Sequence, residues 1–308
     1  MKNILITGAN GFVGSACAAH FLEKGYHVVA LVKDRNHKTR PEILEKCSVV
    51  YGDILDKQLI QTILSKYEID LVLHLAAQPI VRICNNDPYS AYMTNVVGTL
   101  NLLEAIRCLK RPPEKIICIS SDKAFGPTNK LPYKEDSELV VADSYCTSKA
   151  CQDMISRSYG LTYNLPVITV RAGNIYGAGD LNKSRLIPSS INKLLCKESP
   201  ILYSGVKDYV REFIYVDNIV NAFDILFEKG QINEAYNIGG TTPYKIIDVI
   251  TQIRDLIDPE VSISIVEKDF FEIQEQYLDG SKLMSLGWTP KVELLEGLTK
   301  TIEWWKSR

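Results

Sequence analysis

The chain has 308 residues, 46% apolar and 23% charged, with a net charge of −2. That length and composition suffice for a large buried core and exclude a disordered protein. Near-neutral charge gives no reason to expect nucleic acid or a membrane surface as partner, and no apolar run approaches the ~20 residues that span a bilayer. Eight cysteines are scattered without a C-x-x-C pair or a His/Cys cluster. They read as small buried hydrophobes in a reducing cytosol, not as a disulfide framework or a metal site. Met1-Lys2 leads straight into an apolar run without a signal-peptide pattern, so a cytoplasmic location is expected.

Asn3 to Thr7 has the length and flanks of a buried parallel strand. The loop G-A-N-G-F-V-G follows, with Gly8, Asn10, Gly11, Phe12, Val13 and Gly14. A helix is predicted from Ser15 to Lys24 and a second strand from His27 to Val32. In this strand–loop–helix context, glycine lets the backbone approach a pyrophosphate and the helix N-terminus supplies N–H groups. A dinucleotide, NAD or NADP, is the expected ligand. An acid ending the second strand would bond the ribose 2′-OH, and a base would accept a 2′-phosphate. Here the position is Val32, followed by Lys33, Asp34 and Arg35, so the two cofactors stay unseparated.

A third strand, Val49 to Tyr51, leads to Asp53 and Ile54, with Asp53 suited to the adenine amino group. Asp56 is a possible helix cap. A fourth strand, Leu71 to Leu75, is followed by Ala76, Ala77 and Gln78, small residues where open α/β sheets bind ligands. His74 inside it reads as a packed core histidine. Ala91 to Arg107 has helical spacing throughout, with Asn95 as either a polar core residue or a neighbour of the nicotinamide. Lys115 to Ser120 is the fifth strand, ending at Ser120 beside the cofactor and delivering Ser121.

Ser144 to Tyr159 reads as a helix carrying Tyr145 and Lys149, one turn apart on one face. A tyrosine ordinarily loses its proton near pH ~10, and a neighbouring ammonium is expected to lower that value. Tyr145 then takes a proton from an alcohol that Ser121 orients. Asp122 and Lys123 add an acid and a potential base, or else pair with each other. Val167 to Arg171 is a sixth strand, and Gly177 to Pro188 a loop entering a helix. Arg211 to Asp217 is a strand, with Asp217 capping a helix to Lys229. Strands at 235–239 and 262–267 and helices at 246–257 and 294–305 complete an α/β chain.

T-G-A-N-G-F-V-G, G-D-I, H-L-A-A-Q, T-N-V-V-G-T, Y-C-T-S-K, R-A-G-N-I-Y-G, R-E-F-I-Y-V-D and L-G-W-T-P occur in order over essentially the whole chain. Together they resemble the extended short-chain dehydrogenase/reductase family, in its nucleotide-sugar epimerase/dehydratase branch. H-L-A-A-Q-P-I-V-R with S-S-D-K-A-F-G is most similar to CDP-glucose 4,6-dehydratases. The chain departs from those in being shorter and in an epimerase-like R-E-F-I-Y-V-D, which leaves nucleotide and sugar open.

The resemblance implies a Rossmann-type doubly wound parallel sheet of seven strands with a smaller C-terminal α/β substrate domain. The Rossmann domain would take residues 1–175 plus about 213–240, and the nucleotide-sugar domain about 176–212 plus 241–308. A homodimer through the two long helices is also implied. Asn174 resembles the family asparagine that binds the diphosphate. Arg82, Lys183, Arg185 and Arg211 are further diphosphate candidates, because a guanidinium fork matches phosphate oxygens.

The implied reaction begins with C4 oxidation by NAD(P) at Ser121, Tyr145 and Lys149. Lys123 then removes the C5 proton, Asp122 protonates the departing C6 hydroxyl, and reduction at C6 gives a 4-keto-6-deoxy sugar nucleotide. A 4-epimerase or a C4 dehydrogenase would share Ser121, Tyr145 and Lys149 without needing Asp122 and Lys123. A non-catalytic NAD(P)-binding regulator commonly lacks the Tyr or Lys, and both are present here.

Overall fold

A computed structural model describes residues 1–34, 39–128, 130–140, 142–267 and 273–308. Its strands are β1 (Asn3–Thr7), β2 (His27–Val32), β3 (Ser48–Tyr51), β4 (Leu71–His74), β5 (Lys115–Ile119), β6 (Val167–Ala172), β7 (Asn174–Tyr176), β8 (Ile201–Tyr203), β9 (Val210–Tyr215), β10 (Ala235–Ile238), β11 (Pro243–Lys245), β12 (Ser264–Val266) and β13 (Glu275–Gln276). Seven form one parallel sheet in the order β10-β6-β5-β4-β1-β2-β3.

Both faces of that sheet are covered, which is why its strands read as continuous apolar runs. Ile4 and Ile6 of β1 point into a core shared with Phe21 and Phe223, while Leu5 points into one shared with Ile60, Leu102 and Ile106. Winding reverses between β1 and β4, which pair Thr7 with His74. The glycine loop and Ala76–Gln78 therefore leave the sheet side by side at its C-terminal edge, where open α/β sheets take ligands. The strand containing Arg211 stays outside this sheet. It forms a smaller one with β7, β11 and β13, and β8 pairs with β12. No helix among the described residues is long and apolar enough to cross a membrane.

Four predicted elements shift. The first helix spans Phe12–Glu23, not Ser15 to Lys24, because Gly11 already takes the extended N-cap conformation. The predicted helix from Ala91 to Arg107 is Pro88–Tyr92, a π-helical turn Met93–Val97, and Gly98–Arg107. The wider π turn brings Asn95 within bonding range of Gln78 and Ser148, a site-building use that such turns often have. The strand expected to reach Asp217 stops at Tyr215, the N-cap of the helix Val216–Lys229. Asp217 sits in that helix's first turn, where its charge suits the dipole without capping by hydrogen bond. The predicted strand at 262–267 is confined to Ser264–Val266.

Candidate active site

The glycine loop is shaped by close backbone approach. Gly8 has φ +72° and a Cβ there would lie 3.1 Å from the Ala76 backbone. A Cβ on Gly14 would lie 2.2 Å from the Gly8 carbonyl oxygen, so the helix can start this close to the loop only with glycine. No side chain caps that helix at Gly11. Its first-turn N–H groups, around Phe12 and Val13, form the positive end that an anionic pyrophosphate fits. The buried Thr7 hydroxyl accepts from the Leu75 and Ala76 N–H groups at 3.1 and 3.0 Å, joining the two loops. The Asn10 amide donates to the Asp34 carbonyl at 3.0 Å, and Ile54 packs beneath Gly98.

Lys33 and Asp53 form an ion pair at 2.8 Å. Partial burial pushes the Asp53 carboxyl up, but Lys33 and the Leu55 N–H outweigh it and hold it below the ordinary range. These two candidate cofactor residues thus engage each other across the ends of β2 and β3. Arg35 lies outside the described residues.

Ser120 and Ser121 follow β5. The Ser120 hydroxyl donates to the Lys149 carbonyl at 2.9 Å, tying the strand end to the helix Ser144–Tyr163. Ser121 caps a short 3-10 turn, Asp122–Phe125. Its hydroxyl accepts from the Lys123 N–H at 3.2 Å and donates to the Asp122 carboxylate at 2.9 Å. Burial raises the Asp122 pKa above the usual carboxylate range, against the opposing pull of Lys123, the Ser121 hydroxyl and Arg211.

Tyr145 and Lys149 are both buried on that helix. The expected lowering of the Tyr145 pKa does not occur in this structure. Burial raises it, opposed by a hydrogen bond with Ser121 and by the charge of Arg185. The Lys149 ammonium points instead to the Ile119 carbonyl at 3.0 Å and the Gln152 side-chain oxygen at 2.7 Å. Burial lowers its own pKa to about 8.

Asn95 is fully buried. Its oxygen accepts from Gln78 N–H at 2.7 Å and its amide donates to Ser148 at 2.9 Å, so it locks Gln78 to the tyrosine helix. His74 bonds Thr7 at 2.8 Å and Thr99 at 2.9 Å, and burial lowers its pKa to about 3. It is the packed core histidine expected.

The diphosphate candidates separate. Arg185 is part-exposed and pairs with buried Asp180 at 3.3 Å. Arg211 is buried and donates to the carbonyls of Val210, Ile273 and Gln274, while its charge reaches Asp122. The Asn174 amide donates to the Glu212 carbonyl at 3.1 Å. Lys183 is exposed over the Trp305 ring, and Arg82 is exposed.

Two features escaped sequence reasoning. Arg171 and Asp153, both fully buried, form a two-point ion pair at 2.7 and 3.1 Å. Arg171 also donates to the Glu135 carbonyl and lies over Phe125, joining the tyrosine helix to the 3-10 turn. The four-residue step from Lys149 to Asp153 was the available signal.

The second is Glu212, a charged residue inside an apolar strand. It is fully buried and accepts from Thr241 N–H at 2.5 Å, Thr241 hydroxyl at 2.8 Å and Leu278 N–H at 3.2 Å. Burial lifts its pKa from 4.5 to about 7. Between those values the folded chain holds a proton that the unfolded chain has lost, so stability falls as pH rises through that window. Glu212→Gln should flatten this slope in urea unfolding measured at steps from pH 4.5 to 7. An unchanged slope would remove Glu212 as its source.

A family profile described as GDP-mannose 4,6 dehydratase matches residues 5–301. A trifunctional UDP-glucose 4,6-dehydratase/UDP-4-keto-6-deoxy-D-glucose 3,5-epimerase/UDP-4-keto-L-rhamnose-reductase of Arabidopsis thaliana is 35% identical over 99% of this chain. The chain spans about half the length of that relative, 47%. Among solved structures, UDP-glucose 4-epimerase of Thermotoga maritima with UDP-glucose superposes with TM-score 0.93 at 28% identity, covering 99% of both chains. The dTDP-glucose 4,6-dehydratase DesIV of Streptomyces venezuelae, with NAD and TYD bound, superposes with TM-score 0.91 at 27% identity, covering 99% of this chain and 97% of that one.

Proposed function

The chain belongs to the GDP-mannose 4,6-dehydratase family, within the extended short-chain dehydrogenases/reductases, and from that premise we propose that it is an NAD-dependent nucleotide-sugar 4,6-dehydratase, a lyase giving a 4-keto-6-deoxy product. The observation that carries the reading is Asp122. Of the residues beside the Ser121–Tyr145 pair, it is a buried carboxyl whose pKa burial raises, which suits an acid rather than an anion.

The glycine loop, the first-turn N–H groups and the joined Ala76–Gln78 segment fit NAD, and NAD-bound DesIV shares the fold. NAD would supply the redox chemistry, accepting a hydride from C4 and returning one to C6. Ser121 orients the C4 hydroxyl and Tyr145 takes its proton. Lys123 removes the C5 proton made acidic by the ketone at C4 and gives a proton back to C5 when C6 is reduced. Asp122 protonates the C6 oxygen as it leaves. Arg185, Arg211 and Asn174 hold the diphosphate.

Residues 1–175 with about 213–240 act as the cofactor unit, and about 176–212 with 241–308 as the sugar-nucleotide unit. Exposed Met154 and Leu161 on the tyrosine helix, with Tyr89 nearby in sequence to the other long helix, support a homodimer through these helices. All eight cysteines are free thiols, which fits a cytoplasmic enzyme.

The test is incubation with NAD and, separately, UDP-glucose, dTDP-glucose, GDP-mannose and CDP-glucose, followed by mass spectrometry. A product lighter by one water supports the dehydratase. The 4-epimerase reading, favoured by the fold match to the Thermotoga enzyme, requires unchanged mass. Loss of two hydrogens with stoichiometric cofactor reduction would mark a C4 dehydrogenase.

A further inference from the structure

We propose that Gln152 is a positioning residue that keeps the buried Lys149 side chain charged and in place, an inference that rests on the reading of Tyr145 and Lys149 as the oxidation pair. Lys149 is 3% exposed and Gln152 1%. They lie one helical turn apart, so their side chains meet on one face. The Lys149 Nζ donates to Gln152 Oε1 at 2.7 Å and to the Ile119 carbonyl at 3.0 Å. Gln152 Nε2 is buried and makes no hydrogen bond. A glutamine used for packing alone would be better replaced by Leu or Met, which bury no amide. The polar contact that the side chain does make is to the ammonium.

The neighbours of Lys149 supply no counter-charge. On β5, burial raises the Cys118 thiol to about 12, and on the helix Val81–Asn86 it raises Cys84 to about 11. His74 on β4, with its pKa lowered to about 3, is neutral at physiological pH. Asp153, on the same helix, is taken by Arg171. Asp122 of the 3-10 turn has its carboxyl pushed toward the protonated form, and Tyr145 has its phenol pushed up. The cation is therefore opposed by burial and supported by two carbonyl dipoles, one of which Gln152 contributes. Losing one of two such supports must favour the neutral amine.

The test is the titration of Lys149 in the cofactor-free full chain, by NMR of 13C-labelled lysine side chains, with Lys149→Met providing the assignment. Gln152→Met should move the midpoint down by about one pH unit, and Gln152→Glu should move it up by about as much. In turnover, the alkaline limb of the pH–kcat profile should follow the same two directions. A residue that only packs would alter thermal stability and leave the midpoint in place, and unchanged midpoints in both variants would overturn the proposal. If Gln152→Glu does not fold, Gln152→Asn, one methylene shorter, withdraws the carbonyl and should act like Gln152→Met. The oxidation pair is tested separately: full turnover by Lys149→Met would refute the catalytic reading while leaving the titration result to stand.

Discussion

Tyr145→Phe should lose about a thousandfold in kcat, within the roughly 10²–10⁴ contribution of a positioned proton acceptor, while binding sugar nucleotide and NAD within a few-fold of the parent. The ring itself packs with Cys84 and Ala91, and phenylalanine preserves that packing, so thermal stability should change little. The large effect follows from the demand on the hydroxyl. Burial makes its proton harder to lose, so the site must supply a field that offsets burial when the alcohol is oxidised. Arg185 and the hydrogen bond with Ser121 already act in that direction. Steady-state turnover of UDP-glucose or dTDP-glucose, with product mass followed, provides the measurement. A parent-like rate would remove Tyr145 from the chemistry.

Lys123→Ala should separate two halves of the reaction. Loss of the C5 base should lower dehydration by roughly 10²–10⁴-fold, while C4 oxidation continues and reduced cofactor accumulates at 340 nm. Asp122→Asn should cost a similar factor, because the amide cannot protonate the leaving oxygen but still accepts from the Ser121 hydroxyl. Direction with pH distinguishes the two residues. The raised Asp122 pKa keeps the acid form present above the ordinary carboxylate range, so dehydration should fall as pH rises through that pKa. The Asp122→Asn variant should lose this limb. Water loss at the parent rate in Lys123→Ala would sink the assigned base, and mass-neutral epimerisation by the parent enzyme would return the chain to the 4-epimerase reading.

The proposed homodimer would cover the exposed, apolar Tyr89, Met154 and Leu161, and sedimentation of the parent chain measures that assembly directly without altering the site.

The linear order of residues was sufficient for the strand–glycine loop–helix unit, the two serines after β5, and the Tyr145–Lys149 spacing. Each depends on geometry repeated over a few residues: alternation along a strand, 3.6 residues per helical turn, and the φ freedom of glycine. Tertiary structure alone decided which partner each charged group meets. Lys33 turns to Asp53, Arg211 to the carbonyls of Ile273 and Gln274, and Lys149 to Gln152 and Ile119. It also reversed the expected sign at Tyr145, because desolvation is a sum over every segment packed around a group. Those segments, from Cys84 to Arg185, lie too far apart in the chain for any local pattern to register them.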